Sequence, residues 1–288
     1  MGRVAIVTDS ASDMDPARAA SLGITIVPLI VNFGSQSFSA GVNLSTDEFW
    51  RRMTAPDAPF PTTAACSPGD FQQAYQRAFD NGADAVVSVH VAGTLSGTIK
   101  AAEVGRATFK DREIHVVDSM SASMGEGMLA ELGVEMSNAG KSGAEIASTL
   151  TNRRDDIGVY LGLDTLEYLK RGGRISGAQA AIGTLLAVKP IIEIKDGKVE
   201  TAERVRTRGK MREKLVELLA ARPMDRLSIL HTTNADVDEF EAALIAAVPG
   251  GIDTSHVTVD TVGPSVGPHL GPGCVGAVAL YTEASRPA

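Results

Sequence analysis

The sequence has few of the residues that mark secreted or metal-stapled proteins, since it contains only two cysteines, Cys66 and Cys274, in 288 residues. Two cysteines are too few for a disulfide framework, and these two lack the spacing of metal ligands. We therefore expect both to be free thiols in a protein of a reducing compartment.

Long hydrophobic runs and basic surplus charge are also missing. The apolar run at residues 4–7 is too short for a signal peptide, and no stretch reaches the roughly 18 apolar residues of a membrane span. The net charge of −8 argues against a general affinity for nucleic acid or anionic membranes. These absences predict a soluble, cytoplasmic protein with no nucleic-acid partner and no stable membrane insertion.

The first half of the chain alternates short apolar runs with helical patterns. Helix starts are marked by Asp15 before Pro16 and by a capping box of Ser67 and Asp70. Strands are predicted over residues 4–7, 24–31, 85–91 and 114–117. Such alternation is typical of a mainly parallel sheet with helices on both faces.

The second half is α/β again, with a different order of strands. We place the domain boundary after Asp155-Asp156, which gives an N-terminal domain over residues 1–156 and a C-terminal domain over residues 157–288. Within the second domain the pattern predicts a helix over residues 178–188 and a hairpin that turns at Asp196-Gly197. The predicted fold class is two α/β domains, the first with a mainly parallel sheet and the second with a mixed sheet.

Small polar residues cluster in three predicted loops, at residues 62–63, 94–98 and 268–273. Ser96 follows a strand and stands where backbone amides of a new helix attract an anion. The alternative is that Ser96 only caps that helix. His269 lies in a loop made rigid by proline and glycine, which favours a positioned imidazole.

Sequence motifs for catalysis or metal binding are weak. The segment at residues 93–98 has neither the Walker lysine nor the Gly-x-Ser-x-Gly nucleophile elbow, and the five histidines lack zinc spacing. Asp9, Asp118 and Asp164 follow predicted strands, and we interpret them as loop and helix caps.

Arginines alternate along a predicted strand near the middle of the second half. Arg204, Arg206 and Arg208 would share one face of that strand, which suits the docking of an acidic partner.

Seven segments together resemble the DegV family of bacterial fatty-acid-binding proteins, and they occur in family order. They are VTDSASD at residues 7–13, SPGDF at 67–71 after Thr63, LSGT at 95–98, VDS at 117–119, LKRGGRIS at 169–176, KP at 189–190 and HLGPG at 269–273. The resemblance spans almost the whole chain, and the Gly-Gly-Arg-Ile-Ser element is quite specific.

The resemblance implies a fatty-acid carrier with no cofactor, whose long-chain ligand is buried between the two domains. The carboxylate-binding residues of the family fall on Thr63, Ser96 and His269, with Gly97 and Thr98 at the adjoining loop and helix N-terminus. In the FakB branch an exposed arginine contacts a fatty-acid kinase. That arginine falls on Arg206.

The chain departs from the family pattern beside two of these residues. It has Ala64-Ala65-Cys66 where the family commonly has Ser-Gln-Pro, and Ala92-Gly93 where paired serines are common. The hydroxyl-bearing Thr63 and Ser96 are retained.

Two other hypotheses come from different classes of function. Ser96 and His269 could serve a phosphotransfer or hydrolytic enzyme acting on a small acyl or phosphate substrate, or the Arg206 face could belong to a regulatory protein that docks a partner.

Overall fold

The computed structural model describes residues 2–175, 188–232 and 237–286. The strands are β1 Val4–Asp9, β2 Thr25–Val27, β3 Ile30–Phe33, β4 Gln36–Ser39, β5 Thr62–Ala64, β6 Ala85–His90, β7 Glu113–Asp118, β8 Ile157–Gly162, β9 Lys189–Lys195, β10 Lys198–Val205, β11 Met224–His231, β12 Val257–Thr261 and β13 Val275–Tyr281. The helices are α1 Pro16–Leu22, α2 Thr46–Met53, α3 Pro68–Asp80, α4 Thr98–Arg106, α5 Met124–Asn138, α6 Gly143–Arg153, α7 Glu167–Arg171, α8 Arg208–Leu219, α9 Val237–Ala247 and α10 Gly267–Leu270.

The first half forms a parallel sheet, as predicted, with strand order β2-β1-β6-β7. Side chains alternate across β1, so Ile6 joins one hydrophobic cluster with α5 and α6 while Val7 joins another with α3 and α4. The capping box of Ser67 and Asp70 begins α3 at Pro68. Helices therefore cover both faces of this sheet.

The second half forms a mixed sheet with strand order β10-β9-β8-β13-β11-β12. The turn of the β9–β10 hairpin is confirmed at Asp196 and Gly197, whose φ angles of 50° and 71° are the positive values that a two-residue hairpin needs. The mixed α/β class is thus confirmed. The sheet begins with β8 at Ile157, and the exact domain boundary stays a prediction.

The single strand predicted over residues 24–31 is wrong. Pro28 has no N–H for a strand ladder, and the amide of Leu29 donates to Ser10 Oγ at 2.8 Å. The segment therefore splits into β2, in the parallel sheet, and β3, in a small antiparallel sheet of order β4-β3-β5.

Several other predictions need correction or lie outside the described residues. Thr62 and Thr63 lie in β5 rather than in a loop, and the predicted loop at residues 268–273 overlaps the short helix α10. The predicted helix over residues 178–188 falls outside the described residues apart from its last position.

Both cysteines are buried and, as expected, free thiols. Burial raises the pKa of the Cys66 and Cys274 thiols, so neither is a ready nucleophile. In the part of the chain that the structure describes, no helix is long and apolar enough to cross a bilayer.

A buried polar network ties β1 to β6 and α5. Asp9 accepts hydrogen bonds from the amides of Ala11 and Val91 and lies 3.0 Å from His90 Nδ1. Glu126 Oε1 accepts from Thr8 Oγ1 at 2.6 Å and from the amide of Asp9 at 3.2 Å. Burial first, and then the neighbouring Asp9 carboxylate, raises the pKa of Glu126, which favours its neutral form.

We expect Glu126→Gln to preserve stability and Glu126→Ala to lower it. The amide keeps the acceptor for Thr8 and Asp9, whereas alanine leaves two buried donors unpaired and a cavity, which should cost roughly 3–5 kcal/mol of unfolding free energy. Urea denaturation followed by circular dichroism measures both changes. Glu103→Ala, which removes a half-exposed carboxylate paired with Arg106, is the control. Equal losses in the two Glu126 variants would contradict the neutral form of Glu126.

Candidate functional site

The candidate site is a cavity lined by residues from both halves of the chain. Its walls are mostly aliphatic. The first half contributes Leu29 and Val91, and the second half contributes Leu161, Ile192 and Ile194. An elongated apolar ligand suits such walls.

Thr63 and His269 meet at this cavity, although 206 positions separate them in the chain. Thr63 Oγ1 lies 3.2 Å from His269 Nε2. Thr63 comes from β5, and His269 lies on α10, which has proline in its first turn. The structure thus brings together two of the three predicted carboxylate-binding residues.

The His269 imidazole is neutral near pH 7. Burial, and then the positive charge of Arg174, lowers its pKa to about 4. A neutral ring protonated on Nε2 donates to Thr63 Oγ1, which leaves the threonine hydroxyl proton free for an acceptor in the cavity.

Gly172 makes room for the His269 ring. A Cβ at this position would lie 2.1 Å from His269 Nδ1, a contact that no side chain can make. Gly172 has φ −75°, so the residue is glycine for space and not for backbone conformation. This contact gives a physical reason for the first glycine of the Gly-Gly-Arg-Ile-Ser element.

Ser96 also lines the cavity, but its hydroxyl contacts lie within its own loop. Ser96 Oγ lies 2.8 Å from Thr98 Oγ1 and accepts from the Thr98 amide at 3.2 Å. Within the described residues, no hydrogen bond joins Ser96 to His269, so the serine–histidine pair of the enzyme hypothesis is not assembled. Thr98 is buried, Gly97 is the exposed N-cap of α4, and neither is among the described lining residues.

Sequence reasoning missed Arg174 as a site residue. Its Nε donates to the Leu95 carbonyl at 3.0 Å, and its Nη1 donates to the Gly172 carbonyl at 2.6 Å. Arg174 is the one charged side chain among the described residues that line the cavity. The sequence feature that could have indicated Arg174 is its place in the Gly-Gly-Arg-Ile-Ser element.

The predicted arginine face is only partly present. Arg204 and Arg206 are exposed, but β10 ends at Val205, so Arg206 follows the strand. Arg208 begins α8 and forms an ion pair with Asp164 at 2.9 Å. The prediction that Arg208 shares the strand face is therefore wrong.

Of the three predicted aspartate caps, two are confirmed. Asp9 accepts from the Ala11 amide, and Asp118 accepts from the Met120 and Gly93 amides. Asp164 instead lies between Lys189 and Arg208, at 2.7 Å and 2.9 Å. Strand-end position alone could not separate a cap from an ion pair.

Asp9, His90 and Glu126 form a group of potential metal ligands within 4.8 Å of one another, which their separation in sequence concealed. Asp9 already accepts from two backbone amides, and His90 is held between Asp9 and Ser88 Oγ. These contacts account for His90 as a structural histidine.

The fold and this site define a two-domain α/β protein with a cavity that is aliphatic apart from a few polar side chains. A family model described as "Uncharacterised protein, DegV family" matches residues 3–282. The chain therefore belongs to the DegV family.

Individual relatives cover nearly the full chain. A DegV domain-containing protein of Streptomyces coelicolor is 37% identical over 281 residues, which are 96% of this chain and 97% of the relative. A solved DegV family protein from Thermus thermophilus, described as fatty-acid binding, has a TM-score of 0.88 and 35% identity and covers 97% of this chain and 100% of its own. DegV from Bacillus subtilis, described as a fatty acid binding protein, has a TM-score of 0.86 and 27% identity, with 98% and 100% coverage.

We expect Gly172→Ala to displace the His269 ring and break its hydrogen bond to Thr63. Overpacking of this kind should lower unfolding free energy by roughly 1–3 kcal/mol. Ring ¹⁵N chemical shifts of His269 measure the displacement. Gly173→Ala is the matched control, because Gly173 has φ 72° with no atom near its Cβ position, so this variant adds backbone strain without a clash. Unchanged His269 shifts in Gly172→Ala would contradict the packing argument.

Proposed function

We propose that the protein binds one long-chain fatty acid in the cavity between its two domains and acts as a carrier rather than an enzyme. Thr63, Ser96 and His269 hold the carboxylate. The observation that carries the proposal is the Thr63–His269 pair at the wall of an aliphatic cavity. The descriptions of the relatives from Thermus thermophilus and Bacillus subtilis as fatty-acid binding support it.

The polar groups of the cavity suit an anion. A carboxylate removed from water needs several hydrogen-bond donors, and hydroxyls at Thr63 and Ser96 can supply two. The Arg174 guanidinium adds a positive charge to the lining, and no acidic side chain is among the described lining residues. The electrostatics therefore favour an anionic head group over a cationic one.

The aliphatic walls provide the affinity. Burial of about fifteen methylenes at about 0.8 kcal/mol each contributes roughly 12 kcal/mol before the cost of ordering the chain. The polar contacts then set which way round the ligand lies. No bond is broken in this scheme, in keeping with a Ser96 hydroxyl that is bonded to Thr98 rather than to a general base.

The carrier would present its ligand to a fatty-acid kinase for phospholipid synthesis, with Arg206 as a contact. Arg206 is exposed and follows the edge strand β10, and the neighbouring Arg204 is exposed as well. Exposed guanidinium groups pair with carboxylates of a partner in a bidentate geometry, which suits an acidic docking surface.

We expect the purified protein to carry, or to take up, one fatty acid per chain. Native mass spectrometry gives the stoichiometry, and solvent extraction followed by lipid analysis identifies the chain. A protein that is empty and takes up neither stearic nor oleic acid would overturn the proposal.

Thr63→Val is the matched variant for the head group, because valine keeps the shape and removes the hydroxyl. Loss of a hydrogen bond to a charged group should weaken binding roughly 10- to 100-fold. The exposed Thr62→Val, one position earlier in β5, is the control. Equal affinities in the two variants would count against Thr63 as a carboxylate contact.

For the partner, we expect Arg206→Ala to reduce capture of a fatty-acid kinase while fatty-acid content stays at one per chain. Arg206 lies outside the cavity, so its loss should act on docking alone. Pull-down with a purified kinase measures the effect, with Arg204→Ala as the matched exposed variant. Kinase recovery equal to that of the unaltered protein would remove Arg206 from the docking surface.

A further inference from the structure

Asp13 is a buried carboxyl that the binding scheme does not use. It ends a short 3-10 turn after β1 in the left-handed conformation, with φ 53°. Only 9% of the residue is exposed. Aspartate, asparagine and glycine are the residues that tolerate this backbone conformation.

The two carboxyl oxygens of Asp13 contact different segments. Oδ2 accepts from Ser123 Oγ at 2.6 Å, and Oδ1 accepts from the Gly263 amide at 2.9 Å. Ser123 also has a positive φ of 56°, and its amide donates to Ala11 O at 2.7 Å. Three chain segments therefore converge on one side chain.

Each of these segments contributes to the cavity wall. The Asp13 turn contributes Ala11, the segment before α5 contributes Ser123, and the segment after Gly263 contributes His269. The last link is short, because the Gly263 carbonyl accepts from the amide of Gly267, the first residue of α10, at 2.8 Å. Two hydrogen bonds thus connect Asp13 to the helix that carries His269.

We infer that Asp13 is a positioning residue that fixes α10, and with it His269, at the cavity wall. This inference rests on the proposed function only for the role of Asp13 in ligand binding. The geometry of the loop between β12 and α10, residues 262–266, involves no ligand. Gly263 approaches Asp13 so closely that an added Cβ would lie 3.0 Å from Oδ1. The same contact crosses from the first half of the chain to the second, so its loss would release the loop.

The charges around Asp13 disfavour its ionised form. Burial, which outweighs the hydrogen bonds from Ser123 and Gly263, raises the pKa of Asp13 to about 7, and Asp260 and Asp9 add to the rise. Arg18 lies nearby in sequence but pairs with Glu131 at 2.7 Å and Asp260 at 3.8 Å.

The direction of the pH effect follows from the raised pKa. A carboxyl that is neutral in the closed loop and ionised when exposed makes opening easier as pH rises from its ordinary pKa of 3.8 to about 7, with no further change above that. The equilibrium constant for opening of this loop should increase by up to about tenfold per pH unit within this window.

Three variants test the role. Asp13→Asn tolerates the backbone conformation and keeps an acceptor for Gly263, but it cannot ionise. Asp13→Gly keeps the backbone freedom and removes both oxygens. Asp15→Ala removes the N-cap of α1, which accepts from Ala17 and Arg18, and so lowers stability without touching the loop.

The measurement is hydrogen exchange at the amides of Gly263, Gly267 and His269 in ligand-free protein from pH 5 to 8, corrected for intrinsic rates. We expect protection to fall between pH 5 and 7 in the unaltered protein and to stay constant in Asp13→Asn. Asp13→Gly should lose protection about tenfold or more. Asp13→Gly should also lower fatty-acid affinity. Asp13→Asn should keep the affinity of the unaltered protein, and Asp15→Ala should leave it unchanged.

Two results would overturn the inference. One is an unchanged pH dependence of loop exchange in Asp13→Asn, and the other is full loop protection in Asp13→Gly. If the loop behaves as expected but the unaltered protein takes up no fatty acid, the proposed function fails while Asp13 still fixes the loop.

Discussion

The hydrogen bond between Thr63 and His269 joins the two halves of the chain at the cavity wall. Thr63 lies on a three-stranded sheet of the first half, and His269 lies on a four-residue helix of the second half. A buried imidazole must find partners or pay for desolvation. The position of α10 therefore decides whether the cavity has an organised polar group. The packing of the second half must place His269 Nε2 3.2 Å from Thr63 Oγ1.

Two glycines allow α10 and its His269 ring to approach neighbouring elements closely. Gly172 abuts the His269 ring, and a Cβ at Gly267 would lie 2.5 Å from Phe49 of α2. Trp50 of the same helix donates from Nε1 to the Val262 carbonyl at 2.8 Å. The helix carrying His269 thus packs closely against a glycine turn and two aromatic rings. Rigid placement of this kind lowers the entropic cost of ordering a binding group.

Periodicity in the sequence was sufficient for the α/β class, the parallel sheet and helix starts such as Pro16 and Pro68, because these depend on local capping and alternation. It failed where tertiary contacts decide. The amide of Leu29 turns to Ser10, which splits one predicted strand into two. For the site, family resemblance indicated Thr63, Ser96 and His269, but no spacing rule could bring Arg174 into the cavity or join Asp9 to Glu126 across 117 positions.

The surroundings of the chain's own buried carboxyls differ from those of the proposed carboxylate ligand. Glu126 and Asp13 are buried among hydroxyls and amides beside other acids, and burial raises the pKa of both side chains, so their neutral forms are favoured. The cavity instead has hydroxyls from Thr63 and Ser96 together with the Arg174 guanidinium, and its described lining includes no acid. The described lining therefore lacks the neighbouring acids that raise the pKa of Glu126 and Asp13 further. This contrast favours the cavity as the place where a carboxylate ligand stays charged.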